Sequence, residues 1–264
     1  MKRYLITGCA GFIGSNFVYY MLNKYKDIHL VNLDKLTCAG NLENLKGVEG
    51  DSRHVFVQGD ICDRELVSSL FEKYDFDYVI NFAAESHVDR SITNPEIFVE
   101  TNVLGTVNLL QCAKNAWYKD GQWAQGKKYL QVSTDEVYGS LGEEGYFMET
   151  TPLCPHSPYS SSKASADMFV MAFHDTYGMP VNITCGMASG AVDITGPAFT
   201  AANAQVQEEA VAALTMQMCI RDRFVHRATH RCVYGKRCML RAQPAPHRAS
   251  HPESAMRSGT ALSR

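Results

Sequence analysis

Short apolar runs alternate with stretches of helical period along the first two thirds of the chain. Arg3–Thr7, Ile28–Leu33, His54–Gln58, Tyr78–Phe82, Lys128–Val132 and Val181–Thr184 read as six strands. Runs rich in Val, Ile and Leu with little polar alternation are what strands covered on both faces look like. Between them lie helical patterns. Phe12–Tyr25 carries an apolar stripe of Phe12, Ile13, Phe17, Tyr20, Met21 and Leu22. Arg64–Tyr74 follows the third strand. Pro95 opens a long helix to about Trp117, with Phe98, Leu104, Val107, Leu109 and Leu110 expected to face inward. Pro158 opens another, in keeping with proline's preference for the first helical turn. Strands alternating with helices predict an α/β fold with a Rossmann-type doubly wound parallel sheet over residues 1–184.

After Thr184 the pattern breaks. Cys185–Ala204 is rich in Ala, Gly and Thr and shows little strand or helix period. Gln205–Met218 fits a short helix, and Cys219–Arg264 is Arg-, His- and Ser-rich with no periodic apolar face, so it should pack no core.

Charge sharpens this division. Up to Met218 there are 15 Lys and Arg against 26 Asp and Glu, a balance of −11; from Cys219 onward there are 10 against 2, a balance of +8. An Arg-rich run can contact nucleic acid, but no aromatic interleaving accompanies it, and no nucleic-acid partner is expected. No apolar run approaches the roughly 20 residues that span a bilayer, so no membrane partner is expected either. The N-terminus enters a strand directly and does not read as a signal peptide. Nine scattered cysteines form no C-x-x-C pair. They are expected to be reduced thiols of a cytoplasmic protein, with no metal site.

The first strand runs into Gly8-Cys9-Ala10-Gly11-Phe12-Ile13-Gly14, a glycine-rich turn that opens a helix. Such a turn lets the backbone approach a pyrophosphate, whose charge the helix N-terminus meets. Glycine turns without ligands are common; the strand–turn–helix setting is what gives this one meaning. Asp34 follows the second strand, 20 residues after Gly14. A carboxylate there accepts hydrogen bonds from ribose hydroxyls and repels a 2′-phosphate, which favours NAD over NADP, although the neighbouring Lys35 is a cation that tolerates phosphate. Asp60-Ile61 after the third strand has two readings of equal standing: a hold on adenine, or a cap for the next helix.

Tyr159 and Lys163 stand four apart on one helix and share a face. A free tyrosine, with a pKa of about 10, is a poor base at neutral pH. A nearby ammonium and a nicotinamide cation are expected to favour the phenolate, so that Tyr159 can take a hydroxyl proton. Thr134-Asp135-Glu136 follows the fifth strand. Two adjacent carboxyl groups at a strand end suit an acid and a base, provided their surroundings push the two pKa values apart. The plain alternative is that they start a turn.

The stretches GCAGFIGSNF, NLDKLTCAGNLENL, GDICD, NFAAESHVDRSI, ETNVLGT, STDEVYG and SPYSSSKASAD closely resemble the dTDP-glucose 4,6-dehydratase family of extended short-chain dehydrogenases/reductases. The resemblance covers roughly Met1 to Thr184, and the Thr-Asp-Glu triplet is its most specific element. It implies that NAD oxidises C4 of a glucosyl unit, with Tyr159 as base and Lys163 supporting it. Glu136 would take the C5 proton, Asp135 would protonate the departing C6 hydroxyl, and hydride would return to C6. It also implies that Thr134 holds the C4 oxygen of a nucleotide-sugar substrate and that His87 lies near the sugar diphosphate, though His87 by itself can equally be a solvated loop residue. NAD contacts carry over to Phe12, Ile13, Asp34, Lys35, Leu36, Thr37, Asp60, Ile61, Ala83, Ala84, Ser86, Thr101, Tyr159 and Lys163. The family's pairing through two long helices implies a homodimer built on Pro95–Trp117 and Tyr159–Tyr177.

The family continues past the sixth strand with an Asn-Asn-Tyr-Gly-Pro-like segment and a substrate-binding part. Here CGMASGAVDITGPAF follows Thr184, and only Gly196-Pro197 echoes that pattern. Residues 185–264 are therefore expected to be non-native or disordered sequence in place of the substrate-binding part. Two other readings stand beside the dehydratase: another sugar-nucleotide enzyme such as an epimerase, or a catalytically impaired NAD-binding fragment.

Overall fold

A computed structural model describes residues 1–140, 147, 151–186 and 192–194 of the chain. Strand β1 (Lys2–Thr7) leads to helix α1 (Phe12–Lys24), and β2 (Ile28–Asp34) to a 3₁₀ stretch at Leu42–Val48. Then come β3 (His54–Gln58), α2 (Arg64–Tyr74), β4 (Tyr78–Asn81) and the short helix α3 (Val88–Thr93). A continuous helical rod follows: α4 (Glu96–Phe98), a π-helical stretch at Val99–Leu104, and α5 (Gly105–Trp117). A two-stranded ribbon, β5 (Tyr118–Lys119) and β6 (Gln122–Trp123), precedes β7 (Lys128–Thr134). A 3₁₀ turn at Asp135–Tyr138, helix α6 (Pro158–Tyr177), β8 (Val181–Gly186) and β9 (Val192–Ile194) complete the described chain.

The main sheet has the order β3-β2-β1-β4-β7-β8-β9. The first six strands pair in parallel, and β9 adds to β8 antiparallel. Apolar layers cover both faces. On one, Leu5, Val31, Leu33 and Val79 pack against Val67, Leu70 and Phe71 of α2, Leu109, Leu110 and Trp117 of α5, and Val170 and Phe173 of α6. On the other, Tyr4, Ile6, Leu30 and Ile80 meet Phe17, Val18, Met21 and Leu22 of α1 and Leu45 and Val48 of the 3₁₀ stretch. Burial on both faces explains the strands' unbroken apolar runs.

Helix α6 carries clear end signals. Ser157 accepts from the Ser160 backbone N–H at 3.0 Å, and the Ser160 hydroxyl accepts from the Ser157 N–H at 3.0 Å, with Pro158 in the first turn and Gly178 closing the helix in the left-handed region. This reciprocal box fixes where the helix begins, and hence the heights of Tyr159 and Lys163.

Three expectations of the pattern need correction. Leu104 is 58 % exposed. The π-helical stretch puts more residues into a turn than an α-helix does, which rotates the inward stripe between Phe98 and Leu109. Phe12 and Ile13 do not join the core beneath α1; they are 56 % and 42 % exposed. The chain beyond Thr184 also keeps regular structure further than expected, since β8 runs to Gly186 and β9 pairs with it. The helix expected at Gln205–Met218 and the character of Cys219–Arg264 lie outside the described residues. Among those described, no helix is long and apolar enough to cross a membrane.

Candidate active site

The strand order reverses between β1 and β4. Chain leaving β1 crosses to β2 on one side, whereas β4 and the strands after it build out on the other. In open α/β sheets this switch point leaves a crevice at the carboxyl ends of the strands. Here it is a cavity of about 830 Å³. Gly8, Gly11, Phe12, Ile13 and Gly14 line it from the first loop, Asp34, Lys35 and Thr37 from the second, and Asp60 and Ile61 from the third. Ala83, Ala84, Ser86, His87, Thr101, Tyr159 and Lys163 close the other side. Strand ends thus gather nearly all of the residues expected to hold a dinucleotide.

The first loop can form only with glycine at position 8. Its φ is +67°, and a Cβ there would stand 2.6 Å from the Ala83 nitrogen and 2.7 Å from the Phe82 carbonyl carbon. The loop therefore presses directly on the end of β4. Helix α1 begins after Gly11 with no side-chain cap, which leaves its first N–H groups toward the cavity. The exposed rings and branches of Phe12 and Ile13 form part of the wall.

Asp34 holds the second loop to the first. Its Oδ2 accepts from the Ala10 N–H at 2.9 Å and its Oδ1 from the Leu36 N–H at 2.8 Å. A carboxylate oxygen has two acceptor sites, so capacity for ribose hydroxyls remains. Lys35 lies 2.6 Å from Asp60 and is therefore engaged with a carboxylate. Burial alone would raise the Asp60 carboxyl, but the Cys62 N–H and Lys35 outweigh it and hold the group below its ordinary value. The cap of α2 is Asp63, which accepts from the Leu66 N–H at 3.0 Å, so the helix-cap reading of Asp60 is not the one realised. Leu36 does not line the cavity; its side chain packs into the layer beneath α1, with φ at +59°.

After β4 the chain is clamped by Asn102, a residue that no motif in the sequence marks. Its Oδ1 accepts from the Glu85 N–H at 2.8 Å, and its Nδ2 donates to the Glu85 carbonyl at 3.0 Å and to Ser162 Oγ at 2.8 Å. A polar residue on the inward stripe of the Pro95–Trp117 pattern was the available signal. Glu85, also missed, lines the cavity and pairs with Arg90 at 3.4 Å.

Tyr159 and Lys163 are both buried, and the Lys163 Nζ donates to the Val132 carbonyl at 2.6 Å. In this structure the Tyr159 phenol is not poised as a phenolate. Burial, reinforced by the Glu136 charge, pushes it up to about 12, while a hydrogen bond with Thr134 works the other way. The expected lowering therefore needs positive charge that burial alone does not supply, such as a bound nicotinamide cation.

Thr134, Asp135 and Glu136 stand at the carboxyl end of β7, beside the cavity wall formed by Val132, Ser133 and Tyr159, and are not themselves among its lining residues. Thr134 Oγ1 donates to Asp135 Oδ1 at 3.3 Å and accepts from the Glu136 N–H at 3.4 Å. Both carboxyls are raised above their ordinary values, Asp135 by burial and Glu136 by burial and then the Asp135 charge. They are thus moved in the same direction rather than apart. Their exposure still separates them, since Asp135 is half-buried and Glu136 exposed. Solvation favours the ionised form, so Glu136 is the better candidate for a base and Asp135 for an acid.

A sequence profile described as GDP-mannose 4,6 dehydratase matches residues 5–192. The chain is 52 % identical over 185 residues to a dTDP-glucose 4,6-dehydratase of Xanthomonas campestris pv. campestris, covering 70 % of this chain and 52 % of that one. A solved dTDP-glucose 4,6-dehydratase from Bacillus anthracis in complex with NAD is 47 % identical with a TM-score of 0.61, covering 69 % of this chain and 54 % of that one. One from Streptomyces venezuelae with NAD and TYD bound is 47 % identical with a TM-score of 0.62, over the same shares. The chain spans about half the length of the curated relatives it matches.

Proposed function

We propose, from the premise that this chain belongs to the GDP-mannose 4,6 dehydratase family, that its site dehydrates dTDP-glucose to dTDP-4-keto-6-deoxyglucose. The observation that carries the reading is the Thr134-Asp135-Glu136 turn at the end of β7, with Glu136 close enough to Tyr159 to act on its ionisation. An epimerase reading leaves that pair of carboxyl groups without a task.

The cavity fits NAD: a glycine loop tight against β4, an uncapped helix start facing the cavity, and Asp34 at the end of β2. NAD, when bound, supplies the capacity to accept hydride from the sugar and return it. The protein's residues do the rest. Tyr159 takes the proton of the C4 hydroxyl, with Lys163 holding positive charge beside it and Thr134 holding the oxygen. Ketone formation at C4 acidifies the C5 hydrogen. Glu136 removes that proton, and Asp135 gives a proton to the C6 hydroxyl, which leaves as water. His87 lines the cavity wall and would lie near the sugar diphosphate.

Incubating the full chain with dTDP-glucose and NAD tests this, with formation of a 4-keto sugar nucleotide that absorbs in alkali as the expected result. NAD binding with no product would instead support an NAD-binding fragment, a reading favoured by the chain's spanning half of its relatives' length.

We place the protein in the cytoplasm on the free cysteines among the described residues, and we assign it a homodimer. Val99 and Leu104 of the π-helical stretch and Met168, Phe169 and Met171 of α6 are exposed apolar side chains on helices that pack side by side. Covering such a face is what an isologous pairing does. Leu104→Glu combined with Met168→Glu is expected to convert a dimer to a monomer in sedimentation velocity while leaving NAD affinity in place. A wild-type chain that sediments as a monomer would remove this pairing.

A further inference from the structure

Behind the cavity wall lies a carboxyl group that the proposed reaction does not use. Asp167 of α6 is one helical turn beyond Lys163 and 3 % exposed. Its Oδ2 accepts from the hydroxyl of Ser133, the residue that precedes Thr134 and lines the cavity. Its Oδ1 is buried with no hydrogen-bond partner. A buried charged oxygen without a donor is costly, and structures keep one where it serves a purpose. Lys163 is tied to the carbonyl of Val132, next to Ser133 on the same strand. Two adjacent residues of β7 therefore hold both members of an i, i+4 Lys–Asp pair.

We infer that Asp167 is a positioning residue for the Tyr159–Lys163 pair: a buried carboxylate one helical turn from Lys163 and bonded to Ser133 of the cavity wall, whose charge competes with the Tyr159 oxygen for that of Lys163.

The charges around it are few. Burial pushes the Asp167 carboxyl up to about 7, against the pull of Lys163 and the hydrogen bond from Ser133. Its negative charge in turn disfavours the phenolates of Tyr159 on α6 and Tyr129 on β7. Besides β7 and its following turn, α6 packs against α3, α4, Val99–Leu104, α5 and β8; these carry Asp89, Arg90, Glu96, Glu100 and Lys114, and Lys163 is the charge that acts on the Asp167 carboxyl. Asp135 and Glu136 act on Tyr159 from the end of β7. The sign follows directly: an ionised Asp167 makes Tyr159 a more reluctant acid, and a neutral one leaves the Lys163 charge free to favour the phenolate.

This inference rests on Tyr159 being the base, but its test needs no turnover. The full chain, labelled with ¹³C at the tyrosine ζ-carbon, is titrated by NMR with and without NAD, and Tyr159→Phe assigns the resonance. Asp167→Asn should lower the Tyr159 midpoint by about one pH unit, whereas Asp167→Glu, which keeps the charge, should leave it near the wild-type value. Asp167→Ser carries the same expectation as the Asn variant should the latter not fold. An unmoved midpoint in a folded neutral variant would overturn the inference, as would an equal shift in the Glu variant. Loss of fold in both neutral variants would make Asp167 a packing residue and overturn it too. A chain that binds NAD but forms no 4-keto product fails the proposed function, yet its Tyr159 still titrates, so the two failures are distinct.

Discussion

Glu136→Gln is expected to slow formation of the 4-keto-6-deoxy product by about 10²–10⁴-fold, the usual worth of one positioned acid or base. Oxidation at C4 does not need this carboxylate. The variant should therefore still develop the absorbance of reduced nicotinamide after dTDP-glucose is added, and hold it where the wild-type protein passes through it. The pH dependence carries the sign. Glu136 must be ionised to take the C5 proton, so the rate should rise with pH through its pKa, which burial and Asp135 hold above the ordinary value. Asp135 must be protonated to give its proton, so the rate should fall as pH rises through its own raised pKa. The wild-type profile is then a bell, and Glu136→Gln should lose the acid limb of what activity remains. A product rate equal to wild type would take Glu136 out of the proton transfer.

The first half of the proposed reaction depends on a group that the structure places in an unfavourable state. A phenol pushed up to about 12 does not act as a base near neutral pH without help. Lys163 is held by a backbone carbonyl, with Asp167 one helical turn beyond. A bound nicotinamide cation would be the largest added charge. In the proposed reaction, proton removal by Tyr159 is in this way conditional on cofactor, so that substrate would not be deprotonated when the hydride acceptor is absent.

Local signals in the sequence accounted for most of this site because the fold brings strand ends together. The Gly8–Gly14 turn, Asp34, Asp60 and Tyr159 each follow or face a strand end whose apolar run was readable, and parallel pairing alone then places them around one crevice. What escaped were contacts between residues far apart in the chain. Asn102 grips the Glu85 peptide, and Asp167 meets Ser133 across a separation of 34 residues. Each partner looks ordinary in its own segment. Leu104 faces outward because a period of 3.6 does not foresee the π-helical stretch at Val99–Leu104. The state of Tyr159 in the chain alone was hidden for a related reason: residue identity reports which charges are available, whereas burial decides how much they count.

Gly8→Ala is expected to cost about 3 kcal/mol of stability or more and to abolish NAD binding. Two independent effects add. A left-handed backbone costs a residue with a Cβ about 1–2 kcal/mol. Forcing that carbon against Phe82 and Ala83 adds about 1–3 kcal/mol, because what it meets at 2.6–2.8 Å is backbone and cannot rotate away. The only relief is for the loop to lift off β4, which widens the turn that would seat a pyrophosphate and tilts the start of α1. Gly50→Ala is the matched control. It has nothing within 4 Å of the added carbon, and the change there should be within about 0.5 kcal/mol. Thermal unfolding and titration calorimetry with NAD read both effects. A fall in melting temperature of about 6–12 °C is expected for Gly8→Ala and almost none for Gly50→Ala. If Gly8→Ala keeps wild-type NAD affinity, the tight first loop is a structural turn and the dinucleotide must sit elsewhere in the crevice.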